Sequence, residues 1–433
     1  MISWNPKEDR IISNSVIALF STKAFIRHPN PEYFEDIRNL SGIVTINHKQ
    51  HFLAPHVRSI YSRLTAILFS KNEIANHFTR DEVYQQVEKS HKSLLANVET
   101  VLDETYINSI ITGLDETRKV YKFITAVDGI ELIDEHKINF GSISLCRSNK
   151  SILSEIQFAK GEDENTIAEQ INSKYWIIGE VYGGPKFARN NFERSAQIAV
   201  GIIAIYWSAL FEFGFLNTKI YPKLTPYANR TSAILVRWVK NAGCLTITRD
   251  WGTHQSIKIN KELLSEMSSN LFLEQLSSLT SISKNSELQC ALRTAVLWFN
   301  DAYSDDNITM KFIKLWTCSE CFFSKSRENI TSDNATGIAV ILAYAGFQII
   351  SPDEYRSTKS KIKKLYNLRS KAVHNAELEL ISHDDINTLA YWISWTIISI
   401  TALVEQGYTT ICQLKEQIAR LDSIESEVSN SAR

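Results

Sequence analysis

The last third of this chain is a succession of segments whose apolar residues recur at helical spacing. In the first segment, Leu288, Leu292, Ala295 and Phe299 return every three or four positions, which is typical of an amphipathic helix. Helix-breaking residues are scarce, with 15 glycines and 8 prolines among 433 residues. We therefore predict an antiparallel bundle of five or six helices joined by short loops. The predicted helices span residues 287–302, 307–323, 333–347, 353–374, 384–406 and 410–421.

In the rest of the chain, the predicted secondary structure changes from mainly helices to a mixture of strands and helices near residue 130. Residues 1–130 read mainly as helices, and 107–124 continues that pattern. Alternation and β-branched residues then predict short strands, together with one long helix over 191–213. The predicted strands span 138–146, 174–181, 233–239, 245–249 and 255–259. Serines at 277, 278, 281 and 283 dilute the pattern and indicate a domain boundary near 275–285.

These patterns predict the fold class and the domain organisation. We expect an α+β N-terminal region followed by an all-α C-terminal helical bundle, and a chain that is mostly helical overall. The expected parts are a helical region at 1–130, an α+β region at 131–275 and the bundle at 280–433.

Composition and the N-terminus indicate a cytoplasmic protein. The six cysteines are scattered, unlike those of a secreted disulfide scaffold, and the charged first ten residues do not have the layout of a signal peptide. Residues 198–211 form an apolar run of fourteen residues, shorter than the ~20 that a bilayer requires. We therefore interpret this run as a buried core helix and expect no membrane association.

We predict no metal and no cofactor. Cys318 and Cys321 form a lone Cys-x-x-Cys without a second pair, in a segment with a helical pattern. A buried apolar role explains these two cysteines better than metal or redox chemistry does.

The chain carries a local basic run although its net charge is only -1. Residues 356–374 contain seven lysines and arginines and no acidic residue. Such a run either contacts the phosphates of a nucleic acid or forms a solvated helix face, and charge alone does not separate the two. The candidate RNA-binding residues within it are Lys361, Lys363, Lys364 and Lys371.

The end of the run places Arg369 five residues before His374, with four positions between them. RNA can be cleaved without metal when its 2'-hydroxyl attacks the adjacent phosphorus. Histidine suits the required proton transfers because its pKa lies near neutrality, and arginine binds two phosphate oxygens with a planar fork. In an arbitrary protein the same pair would more often be an ordinary surface arginine and histidine at a helix end.

The surrounding sequence resembles a known family. The run LYNLRSKAVHNA at 365–376 resembles the signature of HEPN ribonuclease domains, especially the Apea-like branch. Residues 292–323 resemble the two helices that open such a domain, including a Trp-x-x-x-Glu pattern at Trp316 and Glu320. The resemblance covers about residues 285–405, and its helix order agrees with the bundle predicted from periodicity.

The resemblance implies an HEPN-like bundle that dimerises and cuts RNA without metal at the dimer groove. Arg369 matches the motif arginine and His374 the motif histidine, so each chain of a homodimer would supply half of the site. The family often places Asn, Asp or His after the arginine, where this chain has Ser370. Glu320 matches an acidic position of the family, where it either orients Arg369 or a proton carrier, or forms a simple structural ion pair.

Proteins of the Apea-like branch are associated with bacterial defence against phage, in which RNA or tRNA cleavage halts the infected cell. The resemblance therefore implies an RNA substrate and control by a phage-derived trigger or an antitoxin. The alternative is a catalytically silent HEPN module that binds RNA or a protein through its basic helix. The role of residues 1–275 would be to sense the trigger or hold the nuclease inactive.

Overall fold

The computed structural model shows a mostly helical protein with small sheets in its N-terminal half. It describes residues 3–26, 43–46, 49–97, 102–149, 173–211, 213–222, 224, 232–238, 245–251, 255–281, 285–324, 329–375 and 381–431. The chain divides into two compact units. The first comprises Met1–Phe123 and Glu180–Phe192, and the second comprises Ile124–Gly179 and Glu193–Arg433.

The first unit consists mainly of helices, as predicted, and adds a small antiparallel sheet of order β1-β3-β2. Its apolar core includes Tyr61, Leu64, Val87 and Ile110, which are at most 1% exposed. The helices are α1 (Pro6–Leu19), α2 (His56–Phe69), α3 (Asn72–Ala75), α4 (Arg80–Asn97) and α5 (Asp103–Thr117). The strands are β1 (Phe25–Ile26), β2 (Ile43–Ile46) and β3 (Lys49–Leu53).

Nine further strands follow α5 in the described part of the chain. They are β4 (Lys119–Asp128), β5 (Ile130–Leu132), β6 (Lys137–Phe140), β7 (Ile143–Arg147), β8 (Tyr175–Gly183), β9 (Tyr221–Pro222), β10 (Ser232–Trp238), β11 (Leu245–Trp251) and β12 (Ile257–Ile259). Five of them form a sheet of order β6-β7-β8-β4-β9. The pair β10-β11 is antiparallel and the pair β5-β12 is parallel. These strands confirm the strand content expected between 131 and 275.

Two local predictions in this region are wrong. The helix expected over 107–124 ends at Thr117, because Arg118 takes an extended conformation and the β-branched and aromatic residues after it favour a strand. The single strand expected over 138–146 is a hairpin, because Gly141 adopts a positive φ of 53°. A side chain at Gly141 would lie 2.5 Å from the Ser277 carbonyl oxygen, so the close approach also requires glycine.

The second unit contains most of the predicted long helix and the predicted C-terminal helices. The long helix is α6 (Pro185–Leu210), which belongs to the first unit up to Phe192 and to the second from Glu193. The other early helices are α7 (Gly214–Asn217), α8 (Lys261–Ser269) and α9 (Leu273–Ser278). The C-terminal helices are α10 (Glu287–Ser304), α11 (Ile308–Phe323), α12 (Ile330–Tyr344), α13 (Tyr355–Asn375), α14 (His383–Glu405) and α15 (Ile411–Ser431). Their shared core contains Trp316, Ile338, Leu342 and Ile397, which are fully buried.

The serine-rich segment predicted to be a domain boundary lies inside the second unit. Ser277 and Thr280 are 4% and 0% exposed. The Thr280 hydroxyl lies 2.8 Å from the Phe140 carbonyl oxygen, and its own carbonyl oxygen accepts a hydrogen bond from Ser195 at 2.8 Å. The segment therefore connects β6 and α6 through buried hydrogen bonds, and the predicted separation of 131–275 from 280–433 does not match the two units.

Two apolar helices bear on the membrane prediction. The apolar run 198–211 lies mostly within α6, where Ile198, Ile202 and Ile205 are fully buried. Within the described residues, α14 is the one helix long and apolar enough to cross a membrane, and 78% of its most apolar stretch is buried. Burial of this kind is also what a core helix of a bundle shows.

Candidate active site

The candidate site lies where α13 packs against α11 in the second unit. A short 3₁₀ turn, Pro352–Glu354, precedes α13, and the Ser351 side chain and Glu354 cap it reciprocally. The apolar residues Ile362, Leu365 and Tyr366 face inward and are at most 5% exposed, which fixes the rotation of α13 about its axis. Arg369 follows Tyr366 by three residues and so lies on the same side of the helix.

Glu320 of α11 contacts both side chains. One of its carboxylate oxygens, Oε1, accepts a hydrogen bond from the Tyr366 hydroxyl at 2.7 Å. The same oxygen lies 3.4 Å from Nη2 of Arg369. The Arg369 and Glu320 side chains are 22% and 21% exposed, so the ion pair is mostly shielded from water. The structure thus brings together two of the predicted site residues, Arg369 and Glu320, as an ion pair.

Aromatic side chains help to hold the arginine of this ion pair in place. The Arg369 guanidinium lies 5.5 Å from the centre of the Tyr366 ring, a cation–π distance. Trp316, which is fully buried, packs edge-on against Tyr366 with ring centres 4.8 Å apart. The guanidinium is therefore held in one orientation by a carboxylate and a ring, as an arginine that recognises a phosphate needs to be.

Some donors of this cluster have no partner. Within the described residues, Nε of Arg369 and Nε1 of Trp316 are buried without a hydrogen bond. The contact with Glu320 uses one terminal nitrogen of a group that has five N–H donors. Arg369 therefore keeps donor capacity for a second anionic partner.

Burial sets the protonation of the neighbouring groups. Burial and the hydrogen bond to Glu320 raise the pKa of the Tyr366 phenol, so this group stays neutral and donates. Burial raises the pKa of the Cys321 thiol to about 11 and that of Cys318 well above its usual value. Their sulfur atoms donate to the Thr317 and Lys314 carbonyls one turn earlier. Neither thiol is therefore poised as a nucleophile at neutral pH.

His374 and Ser370 lie in the last two turns of α13. The described part of the chain includes the helical backbone of His374 but not its side chain. Five residues of regular helix separate Arg369 and His374 by about 140° around the axis and ~7.5 Å along it. Ser370, which is partly exposed, lies four residues before His374 and therefore on the same side of the helix.

The predicted RNA-binding lysines lie away from Arg369. Lys364 and Lys371 are exposed and lie about 140° and 160° around α13 from Arg369, on the solvent side. The ammonium of Lys361 lies 5.3 Å from the centre of the Trp392 ring, and Lys363 is partly buried. The basic run therefore does not form one surface with Arg369, contrary to what its sequence continuity suggests.

Two features of the region were not anticipated from the sequence as site components. Tyr366 was missed, although its position three residues before Arg369 on a helix was a usable signal. The first turn of α11 carries a buried lysine, Lys311, whose ammonium donates to the Ala302 and Tyr303 carbonyls at 3.3 and 3.0 Å. Before this helix, Asp305 and Asp306 pair with Lys314 and Lys219, and Asn307 caps the helix.

Comparison with known proteins yields no relative. No family model, no curated protein and no solved structure matches this chain. Among the described residues, no group of three or more His, Cys, Asp or Glu side chains is arranged to hold a metal ion.

Proposed function

We propose that this protein is a metal-independent endoribonuclease of the HEPN type. The observation that supports the proposal best is the orientation of Arg369 by Glu320 and Tyr366 on a helix that also carries Ser370 and His374. The sequence resemblance over residues 285–405 suggests the family, and the described residues of this range form the five successive helices α10 to α14.

The proposed chemistry assigns one role to each residue. Arg369 binds the scissile phosphate and offsets the extra negative charge of the phosphorane. His374 transfers the proton from the attacking 2'-oxygen or to the leaving 5'-oxygen, and Ser370 donates a hydrogen bond to the phosphate. The products are a 2',3'-cyclic phosphate and a free 5'-hydroxyl, so the reaction needs neither water nor a metal in its first step. Glu320 positions Arg369 and does not touch the substrate.

The proposal includes a homodimer, because a single chain supplies one arginine and one histidine for two proton transfers. Closed two-fold symmetry would place two copies of the pair in one groove. The proposed setting is the bacterial cytoplasm, in defence against phage, with RNA or tRNA as the substrate. A phage-derived trigger or an antitoxin would control the activity.

The test is cleavage of total RNA by the purified full chain in the presence of EDTA. We expect Arg369→Ala and His374→Ala each to reduce cleavage by roughly a hundredfold or more. The matched controls are Arg420→Ala and His136→Ala, which remove an exposed arginine and an exposed histidine elsewhere and should cleave normally. Full cleavage by either site variant would refute the site.

A mixed dimer separates a shared groove from two independent sites. Co-assembly of equal amounts of wild-type chains and Arg369→Ala/His374→Ala chains gives mixed dimers that carry one arginine and one histidine. If one groove needs both pairs, the mixed dimers are inactive, and random assembly leaves roughly a quarter of the wild-type rate. Roughly half of the wild-type rate would show that each site is built within one chain.

One observation favours the second candidate, a silent binding module. Glu320 partly neutralises Arg369, while the exposed lysines Lys364 and Lys371 lie on the other side of α13. An RNA or an acidic protein could bind that lysine face without reaching Arg369. Binding of RNA without cleavage by any preparation would establish this alternative.

A further inference from the structure

The first unit contains a groove that the proposed ribonuclease chemistry does not use. Its volume is about 890 Å³, and it lies between α1, α3 and α5. The floor is apolar and includes Ile12, Ile74, Phe78, Ile107 and Leu114. These five side chains are at most 6% exposed and form the core beneath the groove, whereas Trp4 and Ile111, which also line it, are partly exposed and present apolar surface to a ligand.

The rim of the groove is acidic on both sides. Asp9 and Glu73 line one wall, and Asp103, Glu104 and Asp115 line the α5 wall. Asp115 is paired with Arg118 at 2.6 Å, and Asp103 accepts a hydrogen bond from Ser13. In the part of the chain that the structure describes, Asp9, Glu73 and Glu104 have no ion-pair partner.

Lys71, two residues before Glu73, does not offset these charges. Lys71 pairs with Glu8 at 2.7 Å, and its ammonium lies 5.0 Å from the centre of the Trp4 ring. Among the described residues that line the groove, Arg118 is the one basic side chain, and it pairs with Asp115. In this part of the structure the groove therefore combines an apolar floor with an excess of negative charge along its edges.

We propose that this groove binds a basic amphipathic helix of a partner protein. Such a helix presents one apolar stripe flanked by cations, which matches the apolar floor and the two acidic edges. The α5 wall runs from Asp103 to Arg118, which is ~22 Å of helix and suits about four turns of a ligand helix.

A second copy of this chain does not fit the groove through its own basic helix. The apolar residues of α13, such as Ile362 and Leu365, are at most 4% exposed because they face the core. A copy of α13 can therefore offer cations but no apolar stripe. The α13 helix of a second copy is therefore not the proposed occupant, and the inference stands independently of the ribonuclease proposal.

The test titrates the full chain with a fluorescent 15-residue helical peptide that has leucine along one face and lysine elsewhere. Three other ligands serve as controls: the same peptide with glutamate for lysine, a scrambled peptide of equal composition, and spermidine. We expect micromolar binding of the basic amphipathic peptide alone, weakened by salt. Equal binding of the acidic or scrambled peptide, binding of spermidine only, or no binding of any ligand would overturn the proposal.

Variants locate the binding to the groove. The triple variant Asp9→Asn/Glu73→Gln/Glu104→Gln should weaken binding roughly tenfold at low salt. Asn108→Trp, which places a large ring in the groove from an exposed position on α5, should abolish binding. Glu116→Gln removes an exposed carboxylate of α5 that does not line the groove, and it should bind normally. Circular dichroism must show unchanged folding, and unchanged affinity in both groove variants would refute the site.

Discussion

The hydroxyl of Tyr366 donates to the Glu320 carboxylate at 2.7 Å, and this contact joins α13 to α11. We predict that Tyr366→Phe lowers the free energy of unfolding by about 1–2 kcal/mol, because it leaves a shielded carboxylate short of one donor. The ring stays and its packing on Trp316 is retained, so the effect isolates the hydroxyl. Urea denaturation measures it. Tyr408→Phe, at a tyrosine outside the site, is the matched control, and equal stability of the two variants would contradict the prediction.

The two exposed lysines of α13, Lys364 and Lys371, lead to a prediction about RNA affinity. Lys364→Gln/Lys371→Gln should weaken RNA binding and lower the slope of log affinity against log salt by about 1–2, because each phosphate contact releases counterions. Filter binding over a range of salt concentrations measures the slope. The double variant Lys119→Gln/Lys258→Gln removes two exposed lysines elsewhere and should leave the slope unchanged. If the first variant behaves like the second, RNA does not contact this face.

The buried hydrogen bonds of Thr280 lead to a prediction about how much the serine-rich segment contributes to stability. Its hydroxyl lies 2.8 Å from the Phe140 and Ser277 carbonyl oxygens, and the Ser142 amide donates to it at 3.2 Å. Thr280→Val should destabilise the chain by about 1–3 kcal/mol, because the buried partners lose their hydroxyl. The thermal midpoint of the full chain measures this loss.

Thr294→Val is the matched control for Thr280, since the Thr294 hydroxyl is exposed and donates only to a carbonyl of its own helix. Thr294→Val should lower the stability of the chain only slightly. A neutral Thr280→Val would mean that the segment is a linker after all.

The buried side chain of His91 leads to a prediction about how the stability of the chain depends on pH. It is fully buried, and Leu19 offers only a carbonyl oxygen, so Nε2 donates to it at 3.0 Å and Nδ1 accepts from the Tyr61 hydroxyl at 2.6 Å. Burial lowers the pKa of His91 to about 4. Between pH 6.5 and 4 the unfolded chain therefore binds a proton that the folded chain does not, and stability falls with falling pH by up to about 3 kcal/mol.

Denaturation of the full chain at a series of pH values measures the contribution of His91. His91→Leu should be less stable at neutral pH, because the Leu19 and Tyr61 groups lose their partner, but its stability should fall less steeply below pH 6.5. His136→Gln, at an exposed histidine, should retain the wild-type profile. An unchanged slope in His91→Leu would assign the acid sensitivity to other groups.

Helical periodicity predicted the C-terminal helices well because their apolar stripes are continuous. The α10 stripe through Leu288, Leu292 and Phe299 is buried as expected. Strand β4 was missed because Val120, Phe123 and Ile124 also fit a helical pattern, and pairing with distant strands decided its conformation. The serine-rich segment was misread because hydroxyls that look like linker residues can be satisfied inside a core by carbonyls far away in sequence, as at Thr280.

Sequence reasoning named candidate site residues but not their arrangement. The ion pair between Arg369 and Glu320 fits both an orienting and a purely structural role for Glu320. The separation of Lys364 and Lys371 from Arg369 around α13 follows from 100° of rotation per residue. The burial of the neighbouring residues then shows that the two lysines face solvent. Charge density along the sequence therefore overstated how close these groups are in space.

The two sides of α13 impose a path on any RNA that uses both. A helix with its side chains is ~10–12 Å thick, so a phosphate at Lys364 and a phosphate at Arg369 cannot be neighbours in one strand. A strand that touches both in one chain must bend around the C-terminal end of α13, where Val373 is exposed beside His374. A straight duplex cannot follow that bend, whereas a single-stranded loop can, so we expect any RNA that uses both sides of α13 to do so through its looped parts.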